Sequence, residues 1–160
     1  MDDILDSLAA LRKKLEDAEK INASSIEVGD IVYVSLTEED GLTLKSGYDT
    51  RRKYIVIIGF TPEGMAVGAL LINSQVHPLK RSPEMMDCQY PMLLRNYPDI
   101  LTYDSWLDCS DIFEFSKDRL TEKEAKRKGC LIPEDKDRVL EFLRHTDVID
   151  NVTKRRFGLL

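Results

Sequence analysis

Apolar positions along the chain change period twice, dividing it into a helical start, a strand-rich middle and a helical end. From Asp2 to Ile21 the residues Ile4, Leu8, Leu11, Leu15 and Ala18 recur at alternating steps of four and three, with Leu5 widening the stripe. That spacing predicts one amphipathic helix. Acids open it and Arg12, Lys13, Lys14 and Lys20 follow, the order that the helix dipole favours. The stripe is expected to dock on the helix's own domain, with dimerisation or capture of a partner helix as the alternative. Asn22 to Ser25 reads as a hinge.

From Ile26 the pattern becomes that of strands. Ile31–Leu36 is β-branched and aromatic after a Gly29-Asp30 turn, and Tyr54–Phe60 is a near-continuous apolar run. Thr61-Pro62-Glu63-Gly64 has Pro second and Gly fourth, suiting a type I turn into a third strand, Met65–Asn73. These two strands predict a hairpin. Pro78, Pro83, Pro91 and Pro98 then interrupt any long element, leaving Met92–Leu94 as a short edge strand. Trp106–Phe115 predicts a further strand, with a bulge near Ser110-Asp111 and Trp106 in the core. Thr121-Glu122-Lys123-Glu124 has the form of a capping box, predicting a helix that stops at Gly129. Cys130–Ile132 reads as a short strand. Pro133 suits the first turn of a last helix that buries Val139, Leu140, Phe142 and Leu143.

The expected organisation is a helix and hinge over residues 1–25 and a single domain over 26–160. Its class is mostly β with flanking helices (α+β). The longest apolar run, Met65–Ile72, is far short of the roughly 20 residues that cross a bilayer. The acidic start is unlike a secretory or transit peptide. A cytoplasmic protein that spans no membrane is therefore expected. Three cysteines without C-x-x-C spacing and two histidines predict free thiols, with no metal site and no cofactor.

The net charge of -6 is uneven. Residues 1–116 hold 11 Lys and Arg against 20 Asp and Glu, whereas 117–160 hold 12 against 9. Within 82–116 Arg95 is the one basic residue among seven acids. Any nucleic-acid site must then be a local basic patch on a repelling surface.

Four segments stand in order along the chain: Gly29-Asp30-Ile31-Val32-Tyr33-Val34; Thr50-Arg51-Arg52-Lys53 leading into Tyr54-Ile55-Val56-Ile57; Leu70-Leu71-Ile72-Asn73-Ser74-Gln75; and Lys117-Asp118-Arg119-Leu120 with Gly129 to Asp135. Together they resemble the MazF/PemK family of toxin ribonucleases. They depart from the family pattern in three places: Lys53 replaces a proline, Gly47 replaces an acid, and Asp111 to Glu114 is apolar and acidic where a basic run is usual.

The resemblance implies a small, strongly curved antiparallel SH3-like barrel with an added N-terminal helix and a C-terminal helix. It also implies metal-independent cleavage of single-stranded RNA by the ribose 2′-hydroxyl, a homodimer, and inhibition by an antitoxin protein; DNA is not expected as a ligand. Arg52 matches the family's catalytic arginine and Ser74 its hydroxyl residue. His77, whose ordinary pKa lies near neutrality, is the third catalytic candidate. Arg51, Lys53, Gln75, Lys80 and Arg81 are the RNA-binding candidates. For each there is a plainer alternative: an ordinary surface cation for Arg52, a strand-end hydroxyl for Ser74, a loop histidine for His77, a solvated basic face for the rest. Tyr48, Tyr90, Tyr97, Tyr103 and Trp106 offer faces for base stacking, with packing as the expected role. The rival function is a non-catalytic SH3-like barrel that binds protein.

Overall fold

The predicted hairpin is the centre of the fold. β2 (Arg51–Phe60) and β3 (Ala66–Asn73) run antiparallel, with Ile55 opposite Leu71 and Val56 opposite Leu70. Gly64 closes the turn between them, donating its N–H to the Thr61 carbonyl at 2.8 Å from a left-handed φ of 72°. The computed structural model describes residues 2–19, 25–40, 51–74 and 82–160.

β1 (Asp30–Leu36) pairs with the other edge of β2, and β7 (Lys126–Cys130) pairs with β1. The remaining strands are β4 (Gln89–Met92), β5 (Ser105–Asp108) and β6 (Phe113–Ser116). Among the described residues this makes a seven-stranded antiparallel sheet in the order β4-β5-β3-β2-β1-β7, with β6 also on β3. Because β2 occupies one edge of β3, β5 and β6 must share the other: β6 takes Ala66–Ala69 and β5 takes Ile72 and Asn73. β4 and β7 end the sheet without meeting, so it stays open. The class is α+β with flanking helices, as the sequence pattern predicts.

Three local expectations are corrected. Trp106–Phe115 is two strands rather than one bulged strand, because Ser110 donates its N–H back to Asp108 Oδ1 at 3.0 Å, a turn that ends β5. Trp106 is 39% exposed rather than core. The helix placed over 121–129 instead begins earlier: α3 (Lys117–Glu122) is capped by Ser116, whose Oγ accepts from Arg119 N–H at 3.0 Å. The chain then turns through Glu124, at φ 53°, into β7. Hydrogen bonding to the edge of β1 outweighs helix propensity there. β4 is the expected edge strand, shifted towards the N-terminus, with Pro91 exposed on it.

Both faces of the sheet are covered, which is why β2 and β3 read as continuous apolar runs. On one face Ile31, Val56, Ile58, Leu70 and Ile72 pack with Met92, Leu107 and the C-terminal segment. On the other Val32, Val34, Ile55, Ile57 and Leu71 pack with Phe115, Leu120 and Ala125. α4 (Pro133–His145) starts at Pro133 as predicted; Val139 and Leu143 are buried, Leu140 and Phe142 half-buried. α2 (Pro83–Met86) and α5 (Asn151–Arg156) are short. Buried Lys154 donates to the Arg144 carbonyl at the end of α4 at 3.1 Å. After α5, Phe157 enters a notch between the paired glycines Gly59 and Gly68.

α1 (Asp2–Glu19) is the predicted helix, but its stripe is not docked: Ile4, Leu5, Leu8, Leu11 and Leu15 are 47–65% exposed. Cys88, Cys109 and Cys130 are free thiols, the first two buried.

Candidate nucleic-acid interface

The two faces of a strand alternate, so Arg52 and Tyr54 share the face of Val56 and Ile58, while Arg51 and Lys53 share that of Ile55. Continued by three residues, the β2–β3 register sets Arg52 opposite Ser74. On its other side Arg52 pairs with Ser35, and Tyr54 with Tyr33. This end of the face extends past the covering segments, and Arg52 and Ser74 are both exposed there. They line one cavity of about 320 Å³ together with Tyr33 and Tyr54. The two catalytic candidates that fall within the described residues are thus brought to the same small space.

A second cavity, of about 440 Å³, adjoins the first and shares Tyr33, Arg52 and Tyr54 with it. Its far wall carries Lys123, Glu124, Lys126 and Lys128. Lys123 is committed elsewhere, donating to Asp40 Oδ2 at 2.8 Å and to the Ser35 carbonyl at 2.7 Å. Arg52 and Lys126 make no ion pair among the described residues. The tyrosine rings lie 4.7 Å apart with planes tilted by 38°. Burial raises the Tyr54 hydroxyl, with a further push from Tyr33 against the opposing pull of Lys128. It therefore remains a neutral donor near pH 7.

The RNA-binding candidates separate. Arg51 is exposed on the opposite side of the sheet and lines neither cavity. Lys53 lines the smaller cavity, but as a buried cation whose Nζ donates to Asn73 Oδ1 and to the Ile72 carbonyl at 3.4 Å. It ties β2 to β3 directly beside Ser74. His77, Gln75, Lys80 and Arg81 lie outside the described residues, as does Tyr48. Tyr90 and Tyr97 donate to the Asp135 carboxylate, both at 2.5 Å, and both rings pack against the core, Tyr97 buried and Tyr90 half-buried. Tyr103, 58% exposed, lines the smaller cavity with Ile100, Leu101 and Thr102.

Lys126 and Lys128 escape a reading that places 121–129 in a helix, since a helix scatters them. Their spacing of two is a strand signal; although a bulge at Lys128 breaks the alternation, both lysines line the groove, while Arg127 donates to buried Asp30 at 2.9 Å. Glu114 of the acidic Asp111–Glu114 stretch stands away from the groove. Glu114 pairs with Gly68, six residues from Ser74, hence about 20 Å away along β3. That exceeds the roughly 8 Å over which exposed charges act at physiological salt. Glu114 is also bound by Arg156, whose Nη2 donates to it at 3.0 Å. No protein-family model matches the chain, and no curated protein is significantly similar to it in sequence.

Proposed function

We propose that the protein is a metal-independent endoribonuclease of toxin type that cleaves single-stranded RNA in this groove. The observation that carries the reading is that Arg52 and Ser74 line one cavity. In this reading the open sheet is a divergent SH3-like curved barrel of the MazF/PemK kind. The active form is a homodimer, held inactive by an antitoxin protein that occludes the groove.

The reaction needs no external nucleophile. The ribose 2′-oxygen bonds to phosphorus as the bond to the departing 5′-oxygen breaks, leaving a 2′,3′-cyclic phosphate. A base takes the 2′ proton and an acid supplies one to the 5′-oxygen. The planar, permanently charged Arg52 fork matches two non-bridging phosphate oxygens. Ser74, too weakly acidic to act as a base alone, orients the phosphate or relays a proton. His77 is the group suited by its ordinary pKa to the acid or base step. Gln75, Lys80 and Arg81 are assigned to backbone contacts.

Single-stranded RNA incubated with the purified protein in EDTA should be cut to products with cyclic phosphate ends. Arg52→Ala should slow cleavage by about 10²–10³-fold, as loss of one charge-stabilising donor generally does. Equal cleavage by that variant ends the proposal.

A second reading, a non-catalytic protein-binding module, is favoured by the undocked apolar stripe of α1. It predicts a co-purifying protein that is lost when residues 1–24 are removed and retained in Arg52→Ala.

A further inference from the structure

Two cavities that share three residues are two arms of one groove. Tyr33, Arg52 and Tyr54 form its waist. The arms differ in chemistry. One has Lys123, Lys126 and Lys128 on its wall, with Glu124 among them. Among the described residues no acid lines the other; Lys53 lines it with its ammonium tied to Asn73, and its open wall is Thr102 and Tyr103 beside Ser74. Buried Ser105 also lines this arm, and its Oγ donates to the Tyr103 carbonyl at 3.0 Å, holding the loop that presents the ring.

We infer that the groove holds a single-stranded oligonucleotide asymmetrically, with Lys126 and Lys128 tracking phosphates on one side of Arg52 and Tyr103 stacking a base on the other. The inference rests on the reading of the groove as a single-strand RNA site. Lys126 and the bulged Lys128 line the same wall, and a flexible phosphate chain can follow two such cations without base contacts. A half-exposed tyrosine beside hydroxyls offers a face to any base and hydrogen bonds to selected ones. The lysine arm therefore contributes affinity without sequence preference, and the Tyr103 arm contributes whatever preference the protein has.

The experiment uses a fluorescent oligonucleotide carrying 2′-O-methyl groups, which this chemistry cannot cleave, so binding is read apart from catalysis. Affinity is measured by anisotropy across a salt series. Lys126→Ala/Lys128→Ala should weaken all sequences alike and flatten the plot of log affinity against log salt by about 1.4, roughly 0.7 for each lost phosphate contact. Tyr103→Ala should keep the slope while lowering affinity about 5- to 150-fold, unequally among bases. Arg155→Ala, which removes an exposed cation on α5, should change neither. An unchanged slope in the double variant, an equal flattening in Arg155→Ala, or no binding by the wild type overturns the inference. If the wild type binds with this pattern but leaves ordinary RNA intact, the groove assignment stands and the nuclease proposal fails. If RNA is cut while the lysine variant keeps its slope, the reverse holds.

Discussion

Lys53 occupies a position where an unpaired ammonium would be strongly disfavoured, nearly enclosed between the ends of β2 and β3. Its bonds to Asn73 Oδ1 and the Ile72 carbonyl make it a brace for the residue preceding Ser74. Lys53→Met keeps the stem and removes the donors, leaving acceptors unpaired at a cost of about 1–3 kcal/mol. Chemical denaturation should show that loss. Asp40 is the second residue whose role is set by its partners. Its buried carboxylate accepts from Arg119 Nε at 2.7 Å, Lys123 Nζ at 2.8 Å and Thr37 N–H at 2.8 Å. Burial alone would raise it, but the hydrogen bonds from Arg119 and Lys123 reverse that and hold it well below the usual carboxylate range. A carboxylate lowered by folding stabilises fully above its unfolded value, about 3.9, and loses that contribution as pH falls towards the folded one. Asp40→Asn should therefore be less stable than wild type at neutral pH, with the gap narrowing below about pH 4 in urea titrations. A constant gap would mean that shape rather than charge matters at this site.

At the scale of elements, the most demanding contact is that of Phe157 with β2 and β3. A Cβ added at Gly68 would lie 2.8 Å from the Phe157 ring, and one at Gly59 only 2.1 Å from the Phe157 carbonyl. Gly68→Ala should then destabilise by about 1–3 kcal/mol, through a core forced to overpack. Combining it with Phe157→Ala should cost less than the two single changes added together, which a double-mutant cycle of unfolding free energies would show. Such a notch cannot be read from the sequence, since glycines within strands signal equally a bulge or a close approach. What could be read were elements whose local pattern and tertiary role agree. The Tyr54–Asn73 hairpin has apolar runs around a turn sequence, and α4 has Pro at its start with a spaced apolar face. Disagreement between the two levels explains the failures. Lys126 to Gly129 has no strand-like hydrophobicity because β7 is an edge strand whose residues are half-buried or exposed, so its pairing with β1 leaves no apolar signature. The same gap hid half of the groove: Arg52 and Ser74 were legible from motif order, whereas the lysine arm depended on a strand that composition disguises.

For the molecule as a whole, the net charge of -6 and a basic groove are compatible because many acids are used internally. Within the acidic stretch Asp104 accepts from Leu94 N–H, Asp108 accepts from Gln89 and Ser110, and Glu114 pairs with Arg156. Asp30, Asp40 and Asp135 are likewise engaged with Arg127, Lys123 and two tyrosines. In the proposed reading a single strand gains from contact where Arg52, Lys126 and Lys128 line the groove. Three such contacts on a single strand predict a slope of log affinity against log salt near about -2, at roughly -0.7 for each phosphate neutralised. A protein that binds through a broad basic face shows a far steeper dependence. Screening by salt also weakens the repulsion from the acidic body, which makes the measured slope shallower rather than steeper. A wild-type slope beyond about -4 would therefore require cations outside the described groove, with Lys80 and Arg81 the first to substitute. A slope near zero would mean that no phosphate track exists at all, and would leave stacking on the tyrosines as the sole source of affinity.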